Sequence, residues 1–286
     1  MTKLSSIQTI GIAGAGTMGS GIAQVCLQAG FRVVLFDLNP TMLGKAEKSI
    51  NQGLDKMLEK AKISAEFCSA AKNNISYTEK IEALKADLII EAIIEKLAIK
   101  HEFFKKVAEI NGPNCILASN TSSIPITQIA AAIPHPERVL GIHFFNPAPL
   151  MKLVEIIAGI ATSEAIAALC FELISKMGKT CVMAKDAPGF IVNRVARHYY
   201  VESLKALEEQ ITSFEDMDAL LESSGFKMGP FKLMDLIGVD TNFSVTSSMY
   251  QLFHQDSKFR PSRIQQQKVD AGHHGRKTGK GFYKYE

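Results

Sequence analysis

Cysteine is sparse and unpatterned in this sequence of 286 residues: Cys26, Cys68, Cys115, Cys170 and Cys181 are odd in number and nowhere closely paired. That spacing argues against a zinc site or a disulfide framework, so a reducing, cytoplasmic setting is expected. Long apolar runs are also missing. No uninterrupted stretch approaches the roughly 18 residues of a membrane-crossing helix. The opening MTKLSSIQTIGIAGAG is broken by Gln8, Thr9 and repeated glycines, so it reads as a strand entering a turn rather than a secretory signal. Net charge is small as well, at +3, and neither nucleic acid nor a membrane is implied as a partner.

What is present is an ordinary globular composition, 47% hydrophobic and 21% charged, in a chain long enough for two domains. From residue 7 to about residue 186, short runs rich in Val, Ile and Leu alternate with segments of helical periodicity, the pattern of βαβ units around a mostly parallel sheet. The strands expected are IQTIGIAG, FRVVLFD, DLIIEAI, CILASN, RVLGIHFF, LVEIIAG and TCVMAKD. A long exposed helix from Pro40 to about Ile63, then a second helix leading to Asn74, reads as an insertion in the first domain. The character changes at KDAPGFIVNRVARHYYVESLKALEEQ, where a helix is expected to begin with Pro188 near its first turn. Helices over Ser213–Glu222 and from Phe231 to about His254 follow, with no convincing strand. The expected domains are residues 1–186 and 187–286.

The segment TIGIAGAGTMGSGIAQVCLQAGFRVVLFD sets Gly14, Gly16 and Gly19 in the order G-x-G-x-x-G between a strand and a helix. The first glycine permits the tight turn, the second lets a pyrophosphate approach the backbone, and the third lets helix and strand pack closely. Thr17 and Met18 open the helix whose free amides would receive the phosphates. Asp37 closes the next strand, where a carboxylate accepts from both ribose hydroxyls and repels a 2′-phosphate, so NAD is favoured over NADP.

In GIHFFNPAPLMKLVEIIAG, His143 points opposite Ile142 and Phe144, and Glu155 points opposite Val154 and Ile156. Both are equidistant from Pro149, so an antiparallel return would set them across from one another. The carboxylate would then hold one imidazole nitrogen as a donor, leaving the other to take a hydroxyl proton. The alternative is a satisfied core histidine beside an edge glutamate. Ser122, after the strand CILASN, is either a ligand contact at a strand carboxyl end or a helix cap before IPITQIA, with Thr121 and Ser123 equally able caps.

Together with the glycine turn, EAIIEKLAIK, SNTSS, HFFNPAPLMKLVE, KDAPGFIVNR, MGPFKLMDLIGVD and GRKTGKGFY resemble the short-chain L-3-hydroxyacyl-CoA dehydrogenase family, which includes the 3-hydroxybutyryl-CoA dehydrogenases, over residues 7 to 286. The resemblance implies a Rossmann-type doubly wound α/β sheet with a long helical insertion, followed by an all-α C-terminal domain that forms a homodimer. It implies NAD as cofactor and an acyl-CoA substrate whose 3-hydroxyl is reversibly oxidised. His143 would be the general acid/base and Glu155 its orienting partner. Ser122 would donate to the substrate's 3-oxygen and neighbour NAD, and Asn193 would hold the reacting groups. For the cofactor the resemblance carries over Glu95, Lys100, Asn120, Asn146 and Lys277. Without it, Glu95 and Lys100 read as solvated helix-face residues and Lys277 as a tail charge. For CoA it offers Lys60, while the family's serine position holds Gly53 here. Rival expectations are a related dehydrogenase of a free hydroxy acid such as gulonate, and a crystallin-like structural protein of the same fold.

Overall fold

The computed structural model describes residues 4–286. The chain forms two compact units, one running to Ala187 and the other Pro188–Glu286.

The first unit is built on one sheet of eight strands: β1 (Thr9–Ala13), β2 (Arg32–Phe36), β3 (Ile75–Thr78), β4 (Leu88–Glu91), β5 (Ile116–Ser119), β6 (Val139–Phe144), β7 (Leu153–Ala158) and β8 (Thr180–Lys185). Their order is β3-β2-β1-β4-β5-β6-β7-β8. Every neighbouring pair is parallel except β6 and β7, which run antiparallel. In β4, β5 and β6 every residue is buried, as expected of strands covered on both faces. All seven strands read from the sequence are present. The eighth, β3, was missed because ISYT is a half-buried edge strand with polar Ser76 and Thr78 and no apolar run.

The covering helices are α1 (Thr17–Gln28), α2 (Pro40–Glu59), α3 (Ala65–Asn73), α4 (Leu97–Asn111), α5 (Ile126–Ala130) and α6 (Glu164–Lys176). Asn39 caps α2 by accepting from the Thr41 amide, with Pro40 in the first turn, a cap that contributes about 1 kcal/mol. Only Leu43, Ala46, Ile50 and Leu54 of this helix are buried, a single stripe facing the core. The insertion is therefore helical as expected, but it returns to the sheet through β3. No helix among the described residues is long and apolar enough to cross a membrane.

The second unit contains α7 (Val192–Glu208), α8 (Phe214–Ser223), α9 (Pro230–Ile237), α10 (Val239–Leu252) and α11 (Arg263–Asp270), around Tyr200, Leu204, Phe231, Met234, Val239 and Phe282. Two sequence expectations are corrected here. The first helix starts at Val192 rather than Pro188, because Gly189 and Phe190 take φ of 73° and 49° and form a turn. The helix expected over 231–254 is two, divided at Gly238. The tail is anchored by two buried carboxylates. Asp235 accepts from the amides of Phe282 and Tyr283 and from the Tyr285 hydroxyl, each at 2.9 Å. Asp218 accepts from the Phe231 amide at 2.9 Å and the Tyr283 hydroxyl at 2.8 Å.

Candidate active site

The strand order reverses between β1 and β4, and in such sheets ligands sit outside the strand carboxyl ends at that point. Gly14 follows β1 with φ of 96° and donates its amide to Phe36 O at 2.8 Å. A Cβ at Gly19 would fall on the Gly14 carbonyl oxygen, so only glycine lets α1 approach the turn. Beside Gly16 there is open space, with nothing to meet a Cβ within 4 Å, and no side chain caps the α1 amides that begin with Thr17 and Met18. Asp37 lies just past β2, where its Oδ2 accepts from the Ala15 amide at 2.7 Å and its Oδ1 from Asn39 at 2.9 Å. A tight turn, an uncapped helix start, room at the second glycine and a carboxylate at the second strand's end together fit a dinucleotide.

His143 and Glu155 are register partners on β6 and β7. Nδ1 lies 2.7 Å from Oε2, with His143 5% exposed and Glu155 fully buried. The equal spacing about Pro149 does bring them face to face. A carboxylate only accepts, so in this pair Nδ1 is the donor. The parallel strands β1, β4, β5 and β6 open at one sheet edge. There they present the glycine turn, the Glu91–Glu95 loop, the Asn120–Ser123 turn and His143.

A second charged group at this edge involves residues that pattern reading did not single out. Glu91, fully buried at the end of β4, accepts from Lys100 Nζ at 2.5 Å and the Ile93 amide at 2.8 Å through Oε1, and from Ser119 Oγ at 2.6 Å through Oε2. Lys100 also reaches Glu95 Oε2 at 3.0 Å. Glu95 Oε1 accepts from Thr121 Oγ1, and from Ser122 N and Ser123 Oγ at 3.2 Å each. Burial pushes the Glu91 carboxyl above the usual range. Burial pushes Glu95 the same way, but Lys100 and the turn's donors outweigh it and hold Glu95 below that range. Lys100 is thus not the solvated helix-face residue its spacing suggests. It is 1% exposed, and Glu95 stands in the loop before α4 rather than on a helix. The available signal was a glutamate at each end of EAIIE with a lysine five residues on.

The Asn120 side chain ties β5 to β6 by accepting from the Phe144 amide at 2.8 Å. Asn146 precedes a cis bond to Pro147. Lys179 Nζ holds the following loop through Ala148 O and Met151 O, at 2.6 and 2.9 Å. Neither Thr121 nor Ser123 nor Ser122 caps α5. Its first amides, Ile126 and Thr127, are taken by Asp186, each at 2.8 Å, a partner 60 residues away that the local sequence cannot reveal. Lys60 is exposed at the end of α2. At Gly53 a Cβ would collide with the Gln24 amide, so the absence of the family's serine is matched by close packing of Gln24. Asn193 is the second residue of α7, and Lys277 pairs with Asp240 at 2.6 Å; both lie in the second unit.

Residues 9–187 match the model of the 3-hydroxyacyl-CoA dehydrogenase NAD binding domain, and residues 189–285 that of the 3-hydroxyacyl-CoA dehydrogenase C-terminal domain. The chain belongs to the 3-hydroxyacyl-CoA dehydrogenase family. Its first unit is an NAD-binding domain, and the family is one of oxidoreductases. A relative in this family, the 3-hydroxyadipyl-CoA dehydrogenase of Escherichia coli K12, is 47% identical over 97% of this chain, which spans only 59% of that protein's length. The probable 3-hydroxybutyryl-CoA dehydrogenase of Bacillus subtilis is 44% identical, with 98% of both chains covered. The crystal structure of (S)-3-hydroxybutyryl-CoA dehydrogenase from Ralstonia eutropha superposes with a TM-score of 0.94 at 39% identity, covering 98% of this chain and all of that one.

Proposed function

We propose that this chain catalyses the reversible, NAD-dependent oxidation of the 3-hydroxyl of an (S)-3-hydroxyacyl-CoA to a 3-ketone. The observation that carries this reading is the buried His143–Glu155 pair at the same sheet edge as the glycine turn. NAD, when bound, supplies the hydride acceptor. His143 Nε2 takes the hydroxyl proton as the alcohol is oxidised, and Glu155 steadies the imidazolium that results. In the reverse direction the same nitrogen returns the proton. Ser122 donates to the substrate's 3-oxygen from the turn that Glu95 organises. Gly14, Gly16, Thr17, Met18, Gly19, Asp37, Glu95, Lys100, Asn120, Asn146 and Lys277 serve the cofactor, directly or by shaping its site. Asn193 holds the reacting groups, and Lys60 meets the CoA phosphates.

A homodimer through the second unit is part of the same reading. It is supported by Val195, Phe226, Leu236 and Ile237, each between 45% and 67% exposed, and by an apolar cavity of about 570 Å³ between α7 and the Phe226–Met228 segment. Side chains of this size gain about 1.5–3 kcal/mol each when fully buried. The five free cysteines suit a reducing cytoplasm.

The test is NADH formation across 3-hydroxybutyryl-, 3-hydroxyhexanoyl- and 3-hydroxyadipyl-CoA, with gulonate as the free-acid comparison. Turnover of at least one thioester is expected. NADH from gulonate alone, or from none of the four, would overturn the reading. Sedimentation equilibrium showing only monomer at micromolar concentration would remove the dimer.

A further inference from the structure

The buried stripe of α7 runs through Arg197, Tyr200, Val201 and Leu204. Helical spacing calls for an apolar side chain at the first of these, yet the chain places there a guanidinium that is only 4% exposed. Its Nη1 donates to Asn242 O at 3.1 Å and to Thr246 Oγ1 at 3.0 Å, both within α10, and its Cζ lies 5.1 Å from the Tyr200 ring centroid. The other edge of the fork, Nε and Nη2, makes no hydrogen bond among the described residues, and no carboxylate among them pairs with it. Burial pushes the guanidinium down to about 10 from an ordinary 12.5. A cation buried without an anion weakens a fold, and a well-packed apolar residue in its place is often neutral or better. Packing alone therefore does not explain an arginine here; a missing anion does. Arg138, which is also buried, differs in this respect. Its Nη1 donates to Gly112 O and Cys115 O, at and just beyond the end of α4, where the helix dipole is negative.

We propose that Arg197 is a specificity-determining residue whose unused guanidinium edge receives a carboxylate at the far end of the acyl chain, so that the preferred substrate is a dicarboxylic 3-hydroxyacyl-CoA. Arg197 stands four residues beyond Asn193 on α7, one turn on and along the same face. Four residues rise about 6 Å along the helix axis, a distance that an acyl chain covers by continuing a few carbons past the reacting one. A carboxylate presents two oxygens in the plane of the fork, the bidentate match that an ammonium could not offer. It supplies the anion that this cation lacks, whereas a methyl end would leave the cation unpaired. This rests on the reading that the chain oxidises a 3-hydroxyacyl-CoA held by Asn193.

The experiment compares kcat/KM for 3-hydroxyadipyl-CoA and 3-hydroxyhexanoyl-CoA, whose acyl chains have the same number of carbons and differ in ending on a carboxylate or a methyl. The unmodified protein should prefer the dicarboxylic substrate by about ten- to hundredfold, the span of one hydrogen bond between charged groups. Arg197→Met should bring that ratio down to about one or below, since the apolar side chain meets only the methyl end well. Equal losses on both substrates, with the ratio preserved, would mean that Arg197 only packs α7 against α10 and would overturn the proposal. So would the absence of a preference in the unmodified protein. Melting temperature is measured in parallel. If Arg197→Met does not fold, Arg197→Lys, which keeps a cation and loses the planar fork, takes its place; the preference should then shrink several-fold, and an unchanged ratio would again overturn the assignment. Turnover of the hexanoyl thioester without a preference defeats this proposal alone, while turnover of no thioester defeats the proposed reaction with it.

Discussion

The carboxylate of Asp37 accepts the amide proton of Ala15 at 2.7 Å, across 22 residues of chain. The group expected to read the ribose is therefore also a strut of the glycine turn. A hydrogen bond to a charged group contributes about 1.5–3 kcal/mol. Asp37→Asn should accordingly lower kcat/KM for NAD roughly ten- to hundredfold and narrow the preference over NADP. Steady-state kinetics with both cofactors check this; equal use of NAD and NADP by the unmodified protein would contradict it.

His143→Gln is expected to reduce kcat by about 10²–10⁴-fold, the usual contribution of general-base catalysis, while NADH still binds. A packing role would give a different result, a lowered melting temperature with near-normal turnover per folded molecule. Kinetics and thermal unfolding on one preparation separate the two.

Glu155→Gln keeps the shape opposite His143 but removes the charge that favours an imidazolium. Its effect should fall on kcat with substrate KM little changed, because the lost interaction strengthens only as the proton transfers. A rise in KM at constant kcat would place Glu155 in substrate binding instead.

Gly19→Ala would drive its methyl into the Gly14 carbonyl. Forcing such an overlap costs about 1–3 kcal/mol, and it falls on the turn proposed to receive the phosphates. Both melting temperature and NADH affinity should drop; unaltered affinity would mean that the turn is not the cofactor's seat.

Burial pushes the thiols of Cys26, Cys115 and Cys170 up to about 12 from an ordinary 9.0. The folded protein keeps these protons where the unfolded chain releases them. This share of stability is complete below about pH 9 and is lost as pH rises towards 12. Urea midpoints should therefore fall steadily over that window. In native protein at mildly alkaline pH, iodoacetamide should modify the half-buried Cys181 first, which peptide mass spectrometry would show.

Much of the site was readable because it is local or periodic. The glycine turn is a run of adjacent residues whose spacing is dictated by backbone sterics. The facing of His143 and Glu155 follows from two-residue alternation and equal distance from Pro149, so one antiparallel return was enough to pair them. Seven of the eight strands carried their own apolar runs, and the one without, β3, went unseen.

Contacts between distant segments were not readable in this way. Whether Lys100 is solvated depends on Glu91, Glu95 and Ser119 meeting where β4 and β5 end side by side, and the cap of α5 depends on Asp186 beyond β8. The sequence by itself determined the alternation of strands and helices, the glycine turn and the facing of His143 and Glu155, since each follows from chain geometry over a few residues. Only the tertiary structure decided which charges are buried and what holds them, because burial and pairing arise from long-range packing and have no period for the sequence to display.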